Sequence, residues 1–129
     1  MKRIIIDTNF LMIPYMFKVD IFEEIKRICN FSYELCIVEG SIDELNKIVK
    51  EQKGRNREAA KFGLSLIKGK HLKTLRKNQS KSVDDIIVQI ADKDTIVATQ
   101  DAELKKRLKG KNIPQIVLRQ KKYLNITGV

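Results

Sequence analysis

The sequence predicts an α/β domain in which a parallel sheet is covered by helices. Segments rich in β-branched residues alternate with segments whose apolar residues recur at helical spacing, a pattern typical of parallel sheets. Residues 4–6 are apolar at every position, as expected of a strand buried on both faces. A length of 129 residues, 43% of them hydrophobic, is enough for one domain with its own core. We expect residues 1–129 to form that domain, with a basic tail at 119–129.

The N-terminal half is predicted to alternate short strands with longer helices. Residues 2–6 form the first strand, and Thr8 or Asn9 can cap a helix directly after it. Segment 10–17 is unusually apolar and is expected in the core, although an exposed part would favour self-association. Asp20 is expected to cap a helix in which Glu23 pairs with Arg27. The other predicted elements of this half are a strand at 35–38, a helix at 41–50, a helix at 57–68 with Ala59, Ala60 and Gly63 on one face, and a strand at 71–75.

The C-terminal half shows the same alternation. Segment 76–81 is polar and basic, which is typical of a loop. The predicted elements after it are a helix at 82–91, a strand at 95–98, a helix at 101–108 and a strand at 116–118.

The charge of the chain is unevenly distributed. The net charge is +10, but segment 50–81 carries eleven Lys or Arg with two acids, and segment 103–122 carries eight with one. The remaining residues are therefore acidic on balance. Basic segments beside an acidic region predict a polyanionic partner, although such residues can also simply solvate helix faces.

No feature of the sequence indicates a membrane or a secretory route. No apolar run approaches the ~20 residues that span a bilayer, and the N-terminus has no signal-peptide pattern. Cys29 and Cys36 lie in apolar contexts without ligand-like spacing. They are expected to be buried free thiols in a reducing cytoplasm.

Four acids occur at predicted strand ends or helix starts. Asp7 ends the first strand, Glu44 lies in the first turn of a helix, and Asp84 and Asp101 each open a helix. Such positions share one edge of a parallel sheet. Clustered carboxylates raise one another's pKa unless a cation neutralises them. Hard divalent ions such as Mg²⁺ or Mn²⁺ suit an all-carboxylate site.

Each acid also has a purely structural interpretation. Glu44 and Asp85 occupy the fourth position of the capping-box patterns that start at Ser41 and Ser82. Asp101 can be an ordinary N-cap. If Asp85 serves the cap, Asp84 is left to face the site.

Other uses of an acid after the first strand are excluded by local sequence. A haloacid-dehalogenase-type phosphatase needs a second Asp where this chain has Asn9. The phosphate-binding pattern GxxxxGK[ST] is absent. His71 is the only histidine and has no obvious partner for nucleophilic catalysis.

These motifs together resemble the PIN-domain nucleases. The similarity rests on the segments IIIDTN from Ile4, EL at Glu44, SVDDII from Ser82 and IVATQD from Ile96. It covers nearly the whole chain in motif order and spacing. The segments at Asp84-Asp85, the strand end before Asp101 and the tail after Leu118 are most similar to archaeal PIN proteins related to the eukaryotic small-subunit processome rRNA-processing endonuclease. VapC-type toxins are similar more distantly.

The resemblance implies a three-layer α/β/α PIN-like domain with a central parallel sheet of about five strands. It further implies a Mg²⁺- or Mn²⁺-dependent endoribonuclease that hydrolyses single-stranded RNA. Asp7, Glu44, Asp84 and Asp101 match the acidic positions that bind metal and catalyse hydrolysis. Asn9, Thr99 and Asp85 match supporting positions.

The resemblance makes RNA the expected polyanion. The alternatives are a toxin ribonuclease blocked by an antitoxin and a non-catalytic RNA-binding scaffold. The expected partners are RNA, a second copy of the chain, and either an antitoxin or a ribosome-assembly protein. The basic residues expected to contact RNA are Lys53, Arg55, Arg57, Arg76, Lys77, Lys81, Lys105, Lys106 and Arg119.

Overall fold

A computed structural model describes residues 1–76 and 81–128 of the chain. Its N-terminal half contains β1 (Lys2–Ile6), a 3₁₀ helix (Thr8–Met12), α1 (Ile13–Phe17), α2 (Ile21–Ile28), β2 (Tyr33–Val38), α3 (Glu39–Glu51), α4 (Arg55–Gly69) and β3 (Lys73–Leu75). The C-terminal half contains α5 (Val83–Ile90), β4 (Thr95–Ala98), α6 (Ala102–Gly110), β5 (Gln115–Arg119) and β6 (Tyr123–Thr127).

The strands of the described chain form one sheet in the order β3-β2-β1-β4-β5-β6. The first five in chain order run parallel, and β6 pairs antiparallel with β5. The chain leaves β1 toward β2 on one side and later returns to place β4 on the other. The carboxyl ends of β1 and β4 therefore flank the point at which the strand order reverses, where open α/β sheets bind ligands.

The predicted burial of the first strand on both faces is confirmed. Ile4, Ile5 and Ile6 have no exposed surface. Ile4 and Ile6 belong to a core shared with the first four α-helices, and Ile5 belongs to a second core under α5 and α6. Helices thus cover both faces, which confirms the three-layer α/β/α prediction.

The predicted small-residue face is where α4 packs closely on another element. Ala59, Ala60 and Gly63 are buried. A Cβ placed on Gly63 would lie 3.0 Å from the carbonyl oxygen of Leu11. A side chain at this position would therefore push α4 away from the 3₁₀ helix.

Several predicted element boundaries were wrong. The helix expected at 41–50 begins at Glu39, directly after β2, so Ser41 is a helical residue and not its N-cap. The strand expected at 71–75 begins only at Lys73, because His71 adopts a left-handed turn with φ of 53°. Lys77, expected to contact RNA, lies outside the described residues.

The end of the chain forms a strand where only a basic tail was expected. Leu124 is fully buried within the larger core, and Arg27 donates to the carbonyl oxygen of Leu124 at 3.0 Å. Glu24 accepts from the backbone N–H of Leu124 and from Arg27. The predicted Glu23–Arg27 pair is therefore wrong, since Arg27 pairs with Glu24. The Glu24–Arg27 pair holds β6 against α2 through the backbone of Leu124.

The apolar segment 10–17 is partly core and partly surface. Phe10 and Leu11 are fully buried, whereas Phe17 is 38% exposed. Tyr15 packs against Phe62 of α4, which is 43% exposed. Cys29 and Cys36 are buried free thiols, as predicted.

Over the described ranges, none of the helices combines the length and the apolar character that crossing a membrane requires.

Candidate active site

Asp7 is a buried carboxylate directly after β1, with 5% of its surface exposed. Its Oδ1 accepts from the backbone N–H of Thr8 at 2.9 Å and caps the 3₁₀ helix. Its Oδ2 accepts from the Thr99 hydroxyl at 2.9 Å. Burial raises the pKa of Asp7 to about 6, with further increases from Asp84 and Glu44, while the bonds from Thr99 and Thr8 act in the opposite direction.

Glu44 of α3 contacts Thr8, the residue that follows Asp7. The Thr8 hydroxyl lies 2.6 Å from Glu44 Oε1 and 2.7 Å from the Ser41 hydroxyl. A hydroxyl carries one proton and a carboxylate only accepts. Thr8 therefore donates to Glu44 and accepts a hydrogen bond from the Ser41 hydroxyl, so that Ser41 supports the hydroxyl that holds the carboxylate in place.

Asp84 lies in the first turn of α5, next to Asp85, which forms an ion pair of its own. Ser82 Oγ accepts from the backbone N–H of Asp85 and caps the helix, as predicted. Asp85 binds Arg107 of α6 at 2.9 Å, and this bond is the main cause that lowers its pKa. Burial first, then Asp101 and Glu44, raise the pKa of Asp84.

Asp101 is held beside Asp7 by the turn that follows β4. Its Oδ1 accepts from Leu104 N–H at 2.8 Å and caps α6. Its own N–H donates to Thr99 Oγ1 at 3.1 Å, so Thr99 contacts two of the four acids. The Gln100 side chain bonds both backbone groups of Leu118, which ties this turn to β5.

The structure brings Asp7, Glu44, Asp84 and Asp101 to one edge of the sheet, where their charges interact. Ile6 pairs with Ala98, so the ends of β1 and β4 are neighbours. A Cβ on Gly40 would lie 2.9 Å from Val83 Cγ2. The glycine thus permits the close approach of α3 to α5 that brings Glu44 toward Asp84.

The three predicted supporting residues lie in different surroundings. Thr99 and Asp85 make the contacts described above. Asn9 is exposed on the 3₁₀ helix, and Asp7 accepts its hydrogen bonds from Thr8 and Thr99. Sequence reasoning missed Thr8, Ser41 and Arg107. The helical spacing of Ser41 and Glu44, three residues apart on one face, is the signal that could have linked that pair.

The donor set fits a hard divalent cation in its chemistry. The four side chains offer oxygen ligands, and the raised pKa of Asp7 reports burial and repulsion that a cation would relieve. Within ranges 1–76 and 81–128, no three acidic, histidine or cysteine side chains converge closely enough to enclose an ion. Mg²⁺ commonly keeps several waters and uses one or two carboxylates, which suits such an open arrangement.

The predicted RNA-contacting residues fall into separate groups. Lys105, Lys106 and Arg119 line one cleft between α6 and the sheet. Lys53, Arg55 and Arg57 lie exposed where α3 passes into α4, and Arg55 donates to the carbonyl oxygen of Met16 at 2.8 Å. Arg76 and Lys81 are exposed on either side of the residues that are not described.

Comparison with known proteins places the chain in a family. The PIN like domain family matches residues 4–121. Ribonuclease VapC4 of Methanocaldococcus jannaschii is 36% identical over 133 residues, covering 100% of this chain and 99% of the relative. Ribonuclease VapC9 of Archaeoglobus fulgidus is 29% identical over 120 residues, covering 92% and 84%.

Among solved structures, the PIN domain endonuclease Utp24 is similar with a TM-score of 0.78 and 27% identity. The match covers 98% of this chain and 92% of that one. The chain is thus similar in sequence to proteins named ribonucleases and in fold to a PIN domain endonuclease. The chain belongs to the PIN-like domain family of nucleases.

Proposed function

We propose that the protein is a Mg²⁺- or Mn²⁺-dependent endoribonuclease that hydrolyses phosphodiester bonds in single-stranded RNA. The observation that carries the proposal is the set of four interacting carboxylates at the strand-order reversal, with Asp7 buried at its centre. The full-length similarity to proteins named ribonucleases supports RNA as the substrate.

In this proposal Asp7, Asp84 and Asp101 hold the cation, either directly or through its bound waters. When bound, the cation supplies Lewis acidity, making water a better nucleophile at neutral pH and offsetting negative charge that develops on the phosphate. The Thr99 hydroxyl bonds both Asp7 and the backbone of Asp101, which fixes the positions of the two acids relative to each other. This preorganisation keeps the ligands from having to rearrange when substrate binds.

We assign Glu44 the role of orienting the attacking water. Its Oε1 is engaged by Thr8, so Oε2 is the oxygen we assign to the water. The two hydroxyls of Thr8 and Ser41 restrict the rotation of the carboxylate, which places a proton acceptor at a defined point beside the scissile phosphate.

The test compares cleavage of a labelled single-stranded RNA by wild-type protein and Asp7→Asn in Mn²⁺. We expect at least a ~100-fold loss, since a ligand and a buried charge are removed together. Asp94→Asn is the matched control, because Asp94 is exposed and its side chain makes a 3.8 Å ion pair with Lys2. Undiminished cleavage by the folded Asp7→Asn protein would overturn the catalytic assignment.

Two cellular roles are compatible with this activity. Similarity to proteins named VapC favours a toxin ribonuclease that is held inactive by an antitoxin. The resemblance of the motifs to archaeal PIN proteins related to the rRNA-processing endonuclease favours processing of rRNA with a ribosome-assembly partner. Growth arrest on expression, relieved by co-expressing a small neighbouring gene, supports the toxin role, whereas accumulation of uncut rRNA precursor on deletion supports processing.

A further inference from the structure

One face of α6 presents a row of cations. Lys105, Lys106 and Lys109 follow Ala102 at three, four and seven residues, so all four lie on one stripe of the helix. Leu104 and Leu108 occupy the opposite stripe and are fully buried. The row is therefore fixed in place by the packing of the helix, and its direction follows the helix axis.

A cleft of about 700 Å³ lies between this row and the C-terminal strands. Arg119 lines it from the end of β5, and Thr127 lines it from β6. The Gln115 side chain donates to the carbonyl oxygen of Lys105 at 2.8 Å, which fixes α6 against the strand. Of the described residues that line the cleft, none is acidic, so four cations share it without a compensating charge.

One end of the cleft adjoins the carboxylate edge. Ala102, which lines it, directly follows Asp101. Arg119 ends β5 next to Leu118, the residue to which the Gln100 side chain is bonded. An RNA strand that leaves the acids on the α6 side would therefore enter the cleft. From Ala102 to Lys109 the helix spans about 10 Å, room for about two or three successive phosphates.

The geometry points to this cleft as the binding track for the single-stranded RNA segment adjoining the scissile phosphate, held through its phosphates by Lys105, Lys106, Lys109 and Arg119. This inference rests on the proposed function for the identity of the polyanion. It goes beyond it by selecting the α6 cleft over the basic α3–α4 region, and by adding Lys109. The cleft volume is that of a pocket for a drug-sized ligand, which suits nucleotides better than a single inorganic anion.

The experiment measures binding of a fluorescein-labelled 12-nucleotide oligouridylate by anisotropy in EDTA, so that cleavage does not interfere. The cleft variant is Lys105→Gln/Lys106→Gln/Lys109→Gln. The matched control is Lys26→Gln/Lys61→Gln/Lys68→Gln on α2 and α4, which removes the same charge from exposed positions outside the cleft. Circular dichroism and thermal unfolding establish that both are folded, and Arg119→Gln tests the opposite wall of the cleft if the triple variant does not fold.

We expect the cleft variant to bind the RNA at least ~10-fold more weakly. The slope of log K plotted against log[salt] should become shallower by about 2, since each of the three lost phosphate contacts contributes about 0.7. The control should stay within about threefold of wild type. Equal loss in the control, or wild-type binding by the cleft variant, would overturn the assignment. Displacement of the RNA by polyglutamate of equal charge would overturn it in favour of an acidic protein partner.

The two proposals fail separately. Cleft-dependent binding without cleavage in Mn²⁺ contradicts the nuclease and leaves the RNA track standing. Cleavage by a protein whose cleft variant binds RNA normally contradicts only the track.

Discussion

The Thr99 hydroxyl donates to Asp7 Oδ2 at 2.9 Å and accepts from the backbone N–H of Asp101 at 3.1 Å. One side chain thereby links the carboxylate after β1 to the acid that opens α6. Because its bond lowers the pKa of Asp7 against the effect of burial, Thr99 also influences the protonation of the site.

Replacing Thr99 should change the pH dependence of cleavage. In Thr99→Val the carboxylate loses a donor, so the pKa of Asp7 should rise further above about 6. The acid limb of the pH–rate profile should then move up by about 1 unit or more. Thr99→Ser keeps the hydroxyl and should retain the wild-type limb. A valine variant with an unshifted profile would show that the bond does not control Asp7.

Asp7 should make stability decrease with pH when no divalent ion is present. Its folded pKa of about 6 exceeds the ordinary value of 3.8, so between these values the folded state keeps a proton that the unfolded state has lost. Stability therefore falls as pH rises from about 4 to about 6, by roughly 3 kcal/mol at most. Asp7→Asn should remove this dependence.

Urea unfolding in EDTA at a series of pH values measures this effect. Near pH 7 the asparagine variant should be more stable than wild type, and below pH 4 the difference should disappear. Parallel stability curves for the two proteins from pH 4 to 7 would show that Asp7 titrates normally.

Removing the support of Glu44 should reduce catalysis without unfolding the protein. Thr8→Val deletes the hydroxyl that lies 2.6 Å from Glu44 Oε1, and we expect a ~10- to 100-fold lower cleavage rate, as for other residues that orient a ligand. Thr8→Ser should keep most of the activity. Loss of activity in the serine variant equal to that in valine would assign Thr8 a packing role only.

Asp84 and Asp85 should differ sharply in their effect on activity. Asp84→Asn removes a partly buried carboxylate that interacts with Asp101 and Glu44, so cleavage should fall at least ~100-fold. Asp85→Asn disturbs an exposed ion pair with Arg107, which solvent screens strongly, so its effect on cleavage should be small. Single-turnover assays compare the two, and a greater loss in the Asp85 variant would reverse their assignment.

Gly40 should be sensitive to substitution because of one contact. The added Cβ of Gly40→Ala would lie 2.9 Å from Val83 Cγ2, forcing α3 and α5 apart at a cost of about 1–3 kcal/mol. Val83→Ala in the same chain should recover part of the stability and activity. Additive losses in the double variant would mean that the two helices do not meet through this pair.

Much of the site's layout could be predicted from local sequence. Residues 4–6 are apolar at every position and Asp7 comes directly after them, which a buried parallel strand explains. Ser82 and Asp101 have capping chemistry that depends on only three following residues, and both caps occur as predicted. Signals of this kind are short-range and therefore visible in one sequence.

The long-range contacts were not predictable in the same way. Thr8 and Ser41 are 33 residues apart, and no local rule pairs two small hydroxyl residues across a fold. The strand β6 was missed because the lysines that precede it suggested a solvated tail. Its inward-facing Leu124 and Ile126, separated by Asn125, nevertheless show the alternation expected of a strand with one buried face.

The most direct measurement is anomalous X-ray diffraction from a crystal soaked in Mn²⁺. A site used as proposed should show anomalous density within about 2.0–2.6 Å of a carboxylate oxygen of Asp7, with Asp84 and Asp101 bound directly or through water. Asp7→Asn crystals should lose that density. Ordered Mn²⁺ elsewhere, with no density at Asp7 under conditions that support cleavage, would contradict the assignment of the metal site.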